Sequence, residues 1–113
     1  MKIGVFGTGM VGATIATKLI ALGHEVMMGS RNAGNEKAVA WAQVNGANAS
    51  QGSFAQASRF GEILFNCTQG TASIEALQSA GADNLKGKIL EILKQHPADI
   101  HAIKRLHLMF SGI

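Results

Sequence analysis

Gly7, Gly9 and Gly12 stand at G-x-G-x-x-G spacing in the stretch KIGVFGTGMVG, from Lys2 to Gly12. That spacing suits one chemistry, the holding of a pyrophosphate by backbone. Ile3, Val5 and Phe6 form a short apolar run of strand length before the glycines, and a helical pattern begins directly after them. Strand, glycines, helix is the order the dinucleotide fingerprint requires. Gly7 permits the tight turn out of the strand, Gly9 lets backbone approach a pyrophosphate closely, and Gly12 lets the helix pack on the sheet. Free N–H groups at the helix start, around Met10 and Val11, then face the phosphates. The plain alternative is a glycine-rich turn that binds nothing.

The second informative stretch is Gly29-Ser30-Arg31-Asn32, at the end of the second apolar run. A site for NAD usually carries an acid here, which accepts from the ribose 2′-hydroxyl. No acid is present. Ser30 offers a hydroxyl and Arg31 a planar guanidinium, a pair that suits a 2′-phosphate. This implies NADP in preference to NAD, against the bland reading of a solvated loop charge beside a turn serine. Lys37 falls in the first turn of the next helix, where a cation opposes the helix dipole. An anion nearby would explain it, so Lys37 is a second candidate for the 2′-phosphate; a surface lysine explains it equally well.

These residues need elements to position them. Val11, Ile15, Leu19 and Leu22 recur at helical spacing over Met10 to Leu22, with Gly23 as the stop. Glu25 to Gly29 reads as a second parallel strand, completing one βαβ unit. Asn35 caps a second helix running to Val44, on which Trp41 reads as a packing residue and not an adenine platform. Ala47 to Gln51 reads as a short third strand, and Ser53 caps a brief helix to Ser58. Glu62 to Thr68 is a buried strand, followed by a helix from Ala72 to Ala80 with Ile74 and Leu77 facing inward. Lys88 to Leu93 is a fifth strand.

Alternating strands and helices imply an α/β fold, a Rossmann-type three-layer arrangement with helices on both faces of a parallel sheet. Right-handed crossovers give the strand order 3-2-1-4-5. Ligands bind such sheets beyond the carboxyl ends of the strands, at the switch point between the first and fourth. Cys67 and Thr68 therefore come to lie beside the glycine loop, where backbone or the Thr68 hydroxyl can touch the nicotinamide-side ribose or phosphate. Cys67 makes a poor nucleophile, because no histidine is placed to activate it and a lone buried cysteine behaves as a small hydrophobe.

Other classes are disfavoured. The 113 residues suffice for one small domain, and 47% hydrophobic against 15% charged residues is a globular balance. A net charge of +3 without a Lys/Arg cluster argues against nucleic acid. One cysteine suits a reducing cytoplasm, and the absence of a leader or a long apolar run points there and away from a membrane. His24, His96, His101 and His107 do not pair at i, i+4, so no metal site is expected. Glu62, Glu75 and Asp83 are read as isolated, with no general acid–base pair.

The stretches KIGVFGTGMVG, LGHEVMMGSR and FNCTQG together resemble the NADP-binding domain of the NADP oxidoreductases that depend on the deazaflavin coenzyme F420. The resemblance covers about residues 1–90. It implies a phosphate loop of Thr8, Gly9, Met10 and Val11, 2′-phosphate contacts at Ser30 and Arg31, and a looser match at Lys37. It also implies direct hydride transfer between NADP(H) and the deazaflavin, with the protein supplying position and electrostatics. The pattern departs at about Glu91, where the family usually continues into an Asn-Pro-containing loop. The expected organisation is therefore an NADP-binding domain over 1–93 and a divergent tail over 94–113, helical from Asp99 to Phe110. Since the region for the second substrate is largely absent from this pattern, a non-catalytic NADP(H)-binding module that needs a partner for that half is the alternative. A nucleotide or S-adenosylmethionine domain outside redox chemistry is disfavoured by Ser30 and Arg31. An exposed sheet edge is the one motive for a homodimer.

Overall fold

The structure is a computed structural model and describes residues 1–92. The expected helix from Asp99 to Phe110 and the tail over 94–113 lie outside the described residues. In chain order the elements are β1 (Lys2–Phe6), α1 (Met10–Ala21), β2 (Glu25–Ser30), α2 (Glu36–Val44), β3 (Ala49–Ser53), α3 (Phe54–Phe60), β4 (Ile63–Asn66), α4 (Thr71–Ala80), α5 (Ala82–Leu85) and β5 (Ile89–Ile92). All four strand pairings are parallel and the sheet order is β3-β2-β1-β4-β5, as expected for a Rossmann-type α/β fold.

Side-chain alternation along the central strands divides the core into two layers. Ile3 and Val5 of β1, Val26 and Met28 of β2, and Ile63 and Phe65 of β4 point to one face, where Ile15 and Leu19 of α1 and Trp41 of α2 cover them. Phe6 and Leu64 point to the other, against Phe54 and Ala57 of α3 and Ala76 and Ala80 of α4. Burying each large side chain contributes about 1.5–3 kcal/mol. Trp41 is a packing residue, as expected: it is buried, and its indole N–H donates to the Thr17 hydroxyl at 3.1 Å.

Two expectations need correction. Ile74 does not face inward; it is 61% exposed, and the buried residues of α4 are the small Ala76 and Ala80, in one cluster with Phe54 and Ala57 of α3 and with Phe6 and Leu64 of the sheet, Leu77 lying partly buried beside them. An alanine face lets α4 approach α3 and the sheet more closely than an isoleucine face would. The third strand is displaced by two residues from the expected span, to Ala49–Ser53. Its pairing with β2 sets the register, with Ser30 opposite Ser53. The short helix α5 follows Gly81 directly and had no periodic signal of its own.

Candidate functional site

Three chain segments converge at the carboxyl ends of β1, β2 and β4. The β1 end is drawn between its neighbours by two bonds beyond the regular ladder: the Gly7 N–H donates to the Gly29 carbonyl and the Cys67 N–H to the Phe6 carbonyl, each at 2.9 Å. Gly7 adopts φ +121°, and a Cβ there would lie 3.3 Å from the Cys67 backbone. Both the conformation and the space demand glycine. At Gly12 the constraint is contact alone, since an added Cβ would come within 2.5 Å of the Gly7 carbonyl oxygen. The glycine thus lets α1 fold back onto the loop that precedes it.

Gly9 answers to neither constraint. Its backbone is extended, at φ −77° and ψ −174°. A Cβ there would meet no protein atom within 4 Å. Fold and packing accept any small residue at this position; close approach by a bound group is what glycine would serve. Gly9 is also the N-cap of α1 and provides no side-chain hydrogen bond, and no acidic residue stands in the first turn. By contrast, Asn35 caps α2 through the N–H groups of Lys37 and Ala38, and Ser53 caps α3 in a reciprocal box with Gln56. The start of α1 thus has no side-chain cap on its first N–H groups and no acid at the positive end of its dipole, an arrangement that suits an anion. Met10 is 85% exposed there, and Val11 is half-buried.

Beside this loop lies a cleft of about 410 Å³, whose lining includes Gly7, Thr8, Ser30, Arg31 and Thr68. Five of the residues expected at the site are thus together in one cavity. Gly9, Met10, Val11 and Gly12 belong to the helix start next to it and do not line the cavity. Cys67 is buried at 5% exposure, with its Cβ 3.7 Å from the Cβ position of Gly12, and contributes backbone to the loop contact, not a reactive thiol to the cleft. Lys37 is exposed and does not line the cavity, although Asn35, the cap of its helix, does.

Hydrogen bonding sorts the polar candidates. Ser30 is buried and its hydroxyl donates to the Asn32 carbonyl at 2.7 Å, so the proton must turn away from that partner to meet a phosphate. Thr68 is held by Asn66, whose side-chain oxygen accepts from both the Thr68 N–H and its hydroxyl. The Asn66 amide in turn donates to the carbonyl and hydroxyl of Ser73 on α4. This fully buried asparagine ties the β4 end to α4 and fixes Thr68 against the glycine loop. Among the described residues, no group of acids, histidines and cysteines could hold a metal ion.

Sequence reasoning missed Phe54 and Glu75, which also line the cleft. Phe54 forms part of its wall and packs edge-on against Phe6, with ring centroids 5.4 Å apart. Its signal was the S-x-x-Q capping pattern at Ser53 to Gln56, which ends β3 level with Ser30. Glu75 was read as isolated, and that reading is corrected: its carboxylate accepts an ion pair from Arg31 at 3.0 Å. No spacing rule connects positions 31 and 75; only the fold brings them together.

Comparison with known proteins bears on this site. The chain matches the family described as NADP oxidoreductase, coenzyme F420-dependent, over residues 2–90. No curated protein matches it. Among solved structures it is similar to a protein named as an F420-dependent NADP reductase from Arthrobacter sp. FB24, with 40% identity and a TM-score of 0.72 over 81% of this chain and 44% of that one. A reductive aminase from Aspergillus terreus, solved in complex with NADPH, is 26% identical with a TM-score of 0.66, over 98% of this chain and 37% of that one. The arogenate dehydrogenase of Synechocystis is 22% identical with a TM-score of 0.70, over 100% and 39%, and shares the fold. The chain spans less than half the length of each of these proteins.

Proposed function

The chain belongs to the family of coenzyme F420-dependent NADP oxidoreductases, and on that premise we propose that it binds NADP(H) in the cleft beside its glycine loop. We propose further that it presents the nicotinamide for hydride exchange with a deazaflavin, coenzyme F420. The observation that carries the nucleotide reading is one juxtaposition. A helix start without a side-chain cap, entered through Gly9, stands beside a cleft whose lining carries Arg31 and no acid from the end of β2. Gly9 and the first N–H groups of α1 would hold the pyrophosphate, with Thr8 at its edge. Arg31 would take the 2′-phosphate through a charge-assisted, bidentate contact. Ser30 would help on rotation of its hydroxyl, and Lys37 from the cleft margin. Thr68, fixed by Asn66, would face the nicotinamide-side ribose, with the Cys67 backbone behind it.

When bound, the nicotinamide ring supplies the hydride chemistry. The residues of the cleft would orient and neutralise; among the described residues none has a geometry that calls for it to move a proton. Because the chain spans 44% of the reductase it matches, the reading assigned to it is the nucleotide half of the reaction. A second reading is a non-catalytic NADP(H)-binding module that turns over only with a partner supplying the acceptor half.

The test is to mix the chain with NADPH and oxidised coenzyme F420 and follow the absorbance of both. Loss of NADPH matched by reduction of the deazaflavin is the expected result. Saturable NADPH binding without turnover would contradict hydride transfer by this chain and leave the module.

A further inference from the structure

Among the described residues, Arg31 and Glu75 are the charged ones of the cleft lining, and they face each other. Arg31 follows β2 and Glu75 lies in the second turn of α4, the helix that follows β4. In the sheet, β1 separates those two strands. The ion pair therefore reaches across the carboxyl end of β1 and joins two residues of the cleft lining. Its partners are 69% and 50% exposed, so neither is held in place by burial. Both are free to choose another partner at little cost.

We infer that Glu75 is a selectivity-determining residue that works against NADP(H): it is the resident competitor of the 2′-phosphate for the Arg31 guanidinium. The inference rests on the assignment of Arg31 to that phosphate. Two anions then share one cation. If Arg31 leaves Glu75 for the phosphate, the ion pair is lost on binding. If it keeps both, a carboxylate and a phosphate sit within one guanidinium's width and repel. Either way the discount applies to NADPH and not to NADH, which lacks the phosphate. The carboxylate thereby narrows a preference that Arg31 creates.

The opposite arrangement is also chemically sensible, with Glu75 holding Arg31 over the cleft in readiness for the phosphate, and it predicts the opposite sign. Calorimetric titration of the full chain with NADPH and NADH decides between them, using wild type, Glu75→Gln, Arg31→Ala and the double variant. Glu75→Gln should tighten NADPH binding about two- to fivefold at low salt, the range expected of a half-exposed ion pair. The gain should shrink as salt is added. It should vanish in the Arg31→Ala background, and NADH affinity should change little throughout. Unchanged or weakened NADPH binding in Glu75→Gln, with wild type still preferring NADPH and Arg31→Ala losing that preference, would overturn the inference and leave the cofactor assignment standing. Equal affinities for NADPH and NADH in wild type, unmoved by Arg31→Ala, would overturn the assignment itself and the inference with it.

Discussion

Gly9 and Gly12 are three positions apart in one motif, yet different physics holds each. At Gly12 a methyl group would sit 2.5 Å from the Gly7 carbonyl oxygen. Gly12→Ala should therefore force α1 from its loop and destabilise the fold by about 1–3 kcal/mol, which a thermal melt without nucleotide would detect. At Gly9 the same methyl meets no protein atom within 4 Å. Gly9→Ala should lower stability less than Gly12→Ala does, at a cost below about 1 kcal/mol for the altered N-cap, while weakening NADPH binding at least tenfold. Equal losses of stability in the two variants would contradict this division. The motif was legible from spacing alone because its three glycines lie within one six-residue stretch, Gly7 to Gly12, and their jobs are local. Arg31 was legible for a similar reason, as the end of a strand that ordinarily carries an acid. Glu75 was not: its meaning comes from a contact with Arg31 that no local pattern encodes.

Elements were read best where capping chemistry announced them. The Asn35 side chain accepts from two N–H groups of α2, and Ser53 and Gln56 close a capping box on α3. Ser53→Ala removes half of that box and should lower stability by about 1 kcal/mol, read as a lower denaturant midpoint with an unchanged slope. The box matters to the site because α3 begins with Phe54, which lines the cleft. A change of slope with the midpoint would mean that Ser53 sets more than one helix end. The third strand was harder to place. ASQGS is only partly buried and has little apolar alternation, so its register comes from pairing with β2 and not from its own side chains. In α4, helical spacing alone points the large Ile74 inward, and the structure turns it out. Close packing there selects Ala76 and Ala80 and leaves Ile74 outside.

At the scale of the molecule, topology makes the site. The order β3-β2-β1-β4-β5 switches direction between β1 and β4: the loops after β1 and β2 lead to α1 and α2 on one face of the sheet, and the loop after β4 leads to α4 on the other. Order and layers followed from the alternation of apolar runs and from right-handed crossovers, which is why they were readable without coordinates. The two core layers meet at β4, where Leu64 and Phe65 are both fully buried on opposite faces. Phe65→Ala should cost about 3–5 kcal/mol, a large share of the roughly 5–15 kcal/mol available to a native domain. The variant should be largely rescued by saturating NADPH, since a ligand at a hundred times its Kd adds about 2.7 kcal/mol. Rescue by NADH at equal concentration should be weaker, because Arg31 then lacks its phosphate.

If this cleft selects NADP(H) through Arg31, the guanidinium must set the preference between NADPH and NADH. Titration of the folded chain with NADPH and NADH, in wild type and Arg31→Ala, tests it most directly. Wild type should bind NADPH more tightly than NADH, and Arg31→Ala should lose about 1.5–3 kcal/mol of NADPH affinity, with NADH little affected. Equal affinity for both nucleotides, or an NADPH preference that survives removal of the guanidinium, would contradict it.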